Sequence, residues 1–595
     1  MNTNEIKTKW DLSLFYEDDS SNNEAGDPSE AIQADVASAR EAYEGFADTY
    51  RADESYLEDP KALKGALEEL EYLGGKKNLS RPLYYLAYRR SLNSADQEAE
   101  AMENKLSQEY TKLGNLLTFF DLKLGKVSKA KQQEFLASEE LAHYRKYLQW
   151  FFKTAQYQLD ESTENTLSLT SLPRFGMWVD GVQKVLSQKT VEWKGEELPL
   201  PEAMNKIQDL ITDDRRKLHN LCIEKVKEVK EFSESEINAV VTNKKIVDEM
   251  RGYESPYQAT VLGYENTPEE VETLVNTVTD NFDVAHDFYD IKAEILDVDK
   301  LSYADRQASV GNMDREFDYQ RSVELAHEAI SGMDADFAAV FERLVTGGQV
   351  DVYPKKGKQG GAFCSGAQYL PTLLFLNHVD NYDSLKTFVH EMGHAIHTEM
   401  SKERTPLYQE YTTSTAETAS TLFEKVFFNY LYPQLTDEEK VIALHDKING
   451  KVSTIFRQVA CFNFEKDLHE GIREKGSLPH TEIAKLMNRH MQAYLGDRFE
   501  LTDDDGYFFI SWPHIRNSFY VYSYAYGDLV SSAMMEKLDD DPDYTQEIKQ
   551  FLLAGSSKSP QEIFADIGID TTTPEVFETG IQAVRDDIEE LRKLI

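Results

Sequence analysis

Apolar side chains recur at steps of three and four along most of the chain, the period of amphipathic helices packed on a core. Leu106, Tyr110, Leu113, Leu117 and Phe120 share one face at this spacing, and comparable stretches fill residues 30 to 165. The period lapses from Val191 to Met204, where a glycine and two prolines predict a turn between short extended pieces. A lobe boundary is placed there, giving an N-terminal helical lobe over residues 1–190 and a second region over 191–595. Helical patterning then resumes until Gly357 to Gly366, which is too glycine-rich for a regular element and is predicted as a loop allowing close backbone approach. Leu370 to Asn377 follows as an apolar run of strand length. The pattern predicts a mainly α protein with a small sheet; no fixed-period repeat supports a solenoid.

Composition narrows this picture. At 595 residues the chain exceeds what one core serves, so two or more lobes are expected. With 41% hydrophobic residues, 32 Tyr and 30 Phe, it is a folded protein. The balance of 64 basic against 106 acidic residues, −42, argues against nucleic-acid and anionic-membrane partners. Such an excess repels itself unless ions screen it, which points to a salt-rich cytoplasm and a melting temperature that rises with KCl. Cys222, Cys364 and Cys461 are odd in number and far apart, which suits a reducing compartment. The first twenty residues lack a basic start and a long apolar run, and no stretch nears the roughly 20 apolar residues of a membrane span. The expected location is the cytoplasm; oligomeric state is left open.

The chemistry sits at residues 390–394, His-Glu-Met-Gly-His, the H-E-x-x-H pattern in which two histidines one helical turn apart converge on one metal. Asp383 supplies a helix cap, and Leu385, Phe388, Val389, Met392 and Ile396 form an apolar stripe. At about 100° per residue, His390, His394 and Glu391 face away from that stripe. A catalytic zinc takes three protein ligands and leaves one position for water. His397 is nearest in sequence, but seven residues is about 10.5 Å along the axis from His390, so it reads as a supporting or packing residue. Thr412 to Thr415 can start a second helix carrying Glu417 and, two turns on, Glu424. Glu417 is then either the third ligand or the partner of Ser414 in a capping box. The spacing of a metzincin is absent. Asp503-Asp504-Asp505-Gly506 lacks the ligand pattern of a calcium loop and reads as a turn.

These residues resemble the thimet oligopeptidase family of zinc metallopeptidases, family M3, and more closely its oligoendopeptidase F branch. The likeness includes Lys9-Trp10-Asp11-Leu12-Ser13, the loop from Lys356 to Gly366, the strand ending in Leu376-Asn377, Thr387 to His397, and Ala416 to Ser420. Arg457-Gln458, Phe464-Glu465 and the aromatic segment from His514 to Gly527 extend it toward the C-terminus. The resemblance implies Glu417 as third ligand of one zinc per chain and Glu424 as support for a ligating histidine. It implies a gluzincin-type fold with two helical lobes enclosing a channel, and a small sheet whose edge strand receives the peptide. Leu370 to Asn377 fits that strand, and Gly360, Gly361 and Ala362 are candidate substrate contacts.

Glu391, beside a ligand but free of the metal, is the general base toward water and the donor to the leaving amine. Tyr520, Tyr522, Tyr524 and Tyr526 alternate with smaller residues, a period that predicts a strand or plain aromatic packing. The resemblance implies a histidine followed by tyrosines that meet substrate and oxyanion; His514, Tyr522 and Tyr524 are the choices, with Tyr520 a substrate contact. The expected activity is zinc-dependent hydrolysis of internal bonds in short, unstructured oligopeptides. The rivals are a carboxypeptidase or dipeptidyl carboxypeptidase with the same chemistry, and an inactive peptide-binding protein, against which the retained Glu391 argues.

Overall fold

The structure is a computed structural model and describes residues 5–16 and 28–595. Helices dominate, and their starts are written in the sequence. Asp59 accepts from the Lys61 amide ahead of helix Pro60–Lys76, and Asp96 accepts from the Ala99 amide ahead of helix Gln97–Gly125. Together with Ser29–Ala52 and Arg145–Thr154 these helices enclose a first core around Phe46, Leu63, Phe120, Phe135 and Leu148. The stripe predicted on Gln97–Gly125 differs at one position. Leu106, Leu113 and Phe120 are buried, whereas Tyr110 is 49% exposed. Phe119, Leu122 and Leu124 are buried beside that row, Leu116 and Leu117 pack partly against the core, and Tyr110 falls at its edge.

A second, larger core runs from Val191 to Leu591. Between the two, helices Glu161–Ser171 and Met177–Ser187 lie against helix Lys230–Arg251: Arg251 pairs with Glu164 at 2.7 Å, and Trp178 packs on Phe232. The Val191–Met204 segment is a hairpin, as its turn residues indicated, with β1 (Thr190–Trp193) antiparallel to β2 (Glu196–Pro199). Asp505 closes the acidic turn by accepting from the Thr502 amide at 2.7 Å.

The second sheet orders β3 (Val350–Asp351), β5 (Leu373–Phe375) and β4 (Phe363–Ser365), with β5 central. Two expectations change here. The glycine-rich stretch is not all loop, since it ends in β4. The apolar run contributes β5, whose two edges are both paired, so it cannot receive a peptide; β4 carries the free edge. Leu374 donates to Gln349 on the β3 side, so Cys364, its partner in β4, turns its own amide and carbonyl toward that free edge. Trp10 locks the sheet from outside, donating through Nε1 to the Leu374 carbonyl at 2.8 Å and packing on Tyr88, Phe363 and Phe375.

The first core is tied to the segment just past the HEMGH helix. Leu407 donates its amide to Glu71 at 3.1 Å, and Tyr408 donates to the His143 carbonyl at 2.8 Å. Lys146 meets Glu265 at 2.6 Å.

Candidate active site

The HEMGH motif lies on helix Tyr382–Ser401. Its cap is Asn381, which accepts from the Ser384 amide, and not Asp383, which falls inside the first turn. The predicted stripe is buried throughout, and Glu391 is only 7% exposed. Glu417 and Glu424 lie on helix Thr413–Leu431. The alternative capping box does not form: Ser414 donates to Asn266 at 3.2 Å, leaving the Glu417 carboxylate free to face the histidines.

Three helices meet at Glu417 because two glycines allow it. A Cβ on Gly393 would sit 2.8 Å from the Ser420 Cα, and one on Gly527 would sit 2.7 Å from the Glu417 Cβ. The result is convergence of His390, His394 and Glu417, whose ligand atoms all lie within 4.8 Å of one another. The two Nε2 atoms stand 3.1 Å apart, and Glu417 Oε2 is 4.0 Å from that of His390. Two nitrogens each about 2.05 Å from one tetrahedral ion are separated by roughly 3.3 Å, so the cluster fits a metal, and its N, N, O donors suit zinc. Glu424 accepts from Nδ1 of His390, which fixes the tautomer with the Nε2 lone pair toward the cluster. Burial opposes charge on His390, but Glu424 outweighs it and takes the metal-free ring up to about 9, so a metal binds by displacing the Nε2 proton. His394 is held well below its usual range by burial and by His390.

Burial pushes Glu391 up to about 7, against the pull of His390 and of the Cys364 amide on the β4 edge. That value suits a proton carrier near neutral pH. His397 lies outside the cluster. It is buried, stacked on Tyr411 with centroids 3.7 Å apart, and pushed down to about 3 by burial, which makes it a packing residue. Gly360, Gly361 and Ala362 lead into β4, with Asn377 donating to the Gly361 carbonyl at 2.8 Å.

The aromatic segment departs from its period-two appearance. Helix Tyr522–Asp540 begins inside it, so residues four apart share a face. Tyr524 points to the site, lining a cavity with His390 and Glu417, and its ring lies 6.1 Å from that of His514. Tyr520, four residues earlier, hydrogen-bonds His514 Nδ1. Tyr522 is a correction: it is fully buried on the opposite face and donates to Asn266 at 2.9 Å, so it does not meet substrate. Burial, with Arg457 nearby, lowers His514 to about 4 and keeps the ring neutral, with Nε2–H available when Tyr520 donates to Nδ1.

Sequence reasoning missed what holds this wall. Ser518 and Phe519 both have positive φ, +38° and +68°, unusual for residues with side chains. Buried Glu465 accepts from the Phe519 amide at 2.6 Å, and Thr260 donates to the Ser518 carbonyl at 2.9 Å. The available signal was an acidic residue on an apolar stripe, since Glu465 lies with Cys461, Phe464 and Leu468 on one helix face. Asn266, which holds both Ser414 and Tyr522, left no such signal.

This helical fold around a histidine, histidine, glutamate cluster with a buried free glutamate defines a metallopeptidase. The model of peptidase family M3 matches residues 211–583, and that of oligopeptidase F matches residues 123–180. The chain belongs to peptidase family M3. Group B oligopeptidase PepB of Streptococcus agalactiae is 24% identical over 99% of this chain and 98% of its own. Among solved structures, a putative peptidase from Chlamydophila abortus superposes with TM-score 0.83 at 21% identity, covering 100% of this chain and 99% of that one. Oligoendopeptidase-F from Enterococcus faecium gives TM-score 0.72 at 19% identity over 95% and 99%. No helix among the described residues is long and apolar enough to cross a membrane.

Proposed function

We propose that this peptidase is a zinc-dependent endopeptidase of short, unstructured oligopeptides, holding one Zn2+ per chain on His390, His394 and Glu417. The observation that carries the reading is the convergence of those three side chains beside buried Glu391 and the free edge of β4. Zinc in such a site supplies Lewis acidity, polarising the scissile carbonyl and bringing water deprotonation toward neutral pH. Glu391 accepts the proton of the attacking water and delivers it to the leaving amine. Glu424 holds His390 in register.

An extended peptide adds to β4 through main-chain hydrogen bonds, passing Gly360, Gly361 and Ala362, with the Cys364 carbonyl as one acceptor. The scissile carbonyl then lies near Glu391. His514 donates through Nε2 to the oxygen that gains charge, Tyr524 stands beside it, and Tyr520 orients the imidazole. Relatives named oligopeptidase and oligoendopeptidase support peptides as the substrate class. Free Cys222, Cys364 and Cys461 support a reducing, cytoplasmic setting.

The first lobe, tied to residues 407 and 408 just beyond the HEMGH helix, is the shield that admits an extended chain and excludes a packed domain. The test is a digest of a folded protein, its unfolded form and short peptides from it. Short peptides are expected to be cut and the folded protein spared; rapid loss of the folded protein contradicts the shielded site.

A further inference from the structure

The cavity that holds His390, Glu417 and Tyr524 in its wall measures about 380 Å³ and continues to three lysines, Lys425, Lys447 and Lys451. Lys425 lies eight residues beyond Glu417 on helix Thr413–Leu431, about 12 Å along its axis. Their pairing is incomplete. Lys425 Nζ donates to Asp528 and to Ser531, each at 3.0 Å. Lys447 and Lys451 share one carboxylate, Asp587, at 2.8 and 3.2 Å. Three ammonium groups therefore divide two directly bonded carboxylates, with Asp539 acting on Lys447 from the opposite side, and Lys425 and Lys451 are 8% and 7% exposed. The fourth lysine of the cavity, Lys386, has its own partners in Asp383 and Asp446, and Glu424 is taken by His390.

Clustered ammonium groups in a dry wall repel one another, and burial together with Lys451 pushes Lys447 down to about 8. An entering anion relieves that repulsion. Each ammonium carries three donors, so Lys447 and Lys451 keep hydrogen-bonding capacity beyond Asp587. We propose that Lys425, Lys447 and Lys451 form a carboxylate-accepting subsite of the peptide-binding cleft. It takes an acidic side chain or the C-terminal carboxylate of the substrate, about three extended residues from the scissile bond at ~3.4 Å per residue. The proposal rests on the oligopeptidase reading and adds a specificity to it. It runs against the protein's overall field, since a charge of −42 favours cationic peptides at long range. The two effects separate by salt: screening over about 10 Å at 0.1 M removes the surface field and leaves a buried pair nearly intact.

The test compares kcat/KM on matched peptides at 0.3 M KCl, with C-terminal acid or amide, and with Glu or Gln walked through each position flanking the cut. Wild type, Lys447→Met, Lys451→Met and Asp587→Asn are assayed. Wild type is expected to prefer the anionic member at one position by about tenfold to a hundredfold, the worth of a charge-assisted hydrogen bond. That ratio falls toward one in both lysine variants and rises in Asp587→Asn, which frees the lysines. An acid-over-amide preference identifies the terminus, and a Glu-over-Gln preference identifies a side chain. Thermal melts verify that the variants fold, and the opposite direction of Asp587→Asn separates recognition from general damage. Ratios near one at every position in wild type overturn the subsite while leaving the oligopeptidase reading intact; failure to cut any peptide overturns both.

Discussion

His390 and His394 keep their relation through one turn of regular helix, and Glu417 meets them because Gly393 and Gly527 let neighbouring helices touch. Beyond Tyr524, His514 meets Tyr520 and Tyr524 where the chain makes a left-handed turn at Ser518 and Phe519. The first wall is set by spacing along helices; the second is set by a strained turn and by Glu465, which holds it from another helix. Ligand geometry is nearly automatic once the helices pack, whereas donor geometry depends on two distant side chains, Glu465 and Thr260. Mutations on the two sides should therefore fail differently.

The largest effects are expected on the metal wall. Glu391→Gln should cut turnover roughly a hundredfold to ten-thousandfold, the worth of a general acid–base group, while leaving zinc content unchanged by elemental analysis. Glu417→Ala should instead lose zinc on dialysis, since two histidines alone hold it poorly. Full zinc occupancy in that variant would show that Glu417 is not the third ligand.

Intermediate effects belong to the aromatic wall. His514→Ala should lower kcat roughly tenfold to a thousandfold with less change in KM, because its hydrogen bond matters most as charge develops. Tyr522→Phe tests the corrected register. It should cost about 1 kcal/mol of stability through the lost bond to Asn266 and spare kcat, whereas Tyr524→Phe lowers kcat. The reverse pattern would restore the period-two reading.

The smallest effects probe the strained turn. Glu465→Leu removes the acceptor of the Phe519 amide and should lower kcat by loosening Tyr520 and His514, while Glu465→Gln, which keeps an acceptor, should largely rescue it. Burial pushes Glu465 up to about 8. The folded state therefore holds a proton that the unfolded state releases above about 4.3. Stability contributed by this group is present at low pH and declines as pH rises from about 4.3 toward 8. Melting curves of Glu465→Gln against pH should lack that slope; an identical slope in both proteins would remove Glu465 as its source.

The same contrast explains what was legible. The apolar stripe of Tyr382–Ser401 and the four-residue histidine spacing carry the metal wall almost directly into geometry, because a helix converts spacing into direction. Spacing left Glu417 open between ligand and capping box, and packing removed the capping box: Ser414 is engaged by Asn266, a partner 148 residues away. Tyr110 and Asp383 were misplaced by one edge of a stripe and by part of a turn, small errors of boundary. The choice between Tyr520 and Tyr522 failed for a larger reason. Alternation suggested a strand where tertiary contacts impose a turn and then a helix, and nothing local announces positive φ at Ser and Phe. The receiving strand was misassigned because pairing partners, not apolar content, decide which strand is an edge.

In the proposed function, one zinc on His390, His394 and Glu417, with Glu391 as proton carrier, drives internal cleavage of peptides. The most direct measurement is mass spectrometry of an N-acetylated, C-amidated peptide incubated with zinc-loaded wild type and with zinc-loaded Glu391→Gln. Internal fragments are expected from wild type and intact peptide from the variant. An uncut blocked peptide alongside terminal trimming of the unblocked one, or equal cleavage by both proteins, would contradict it.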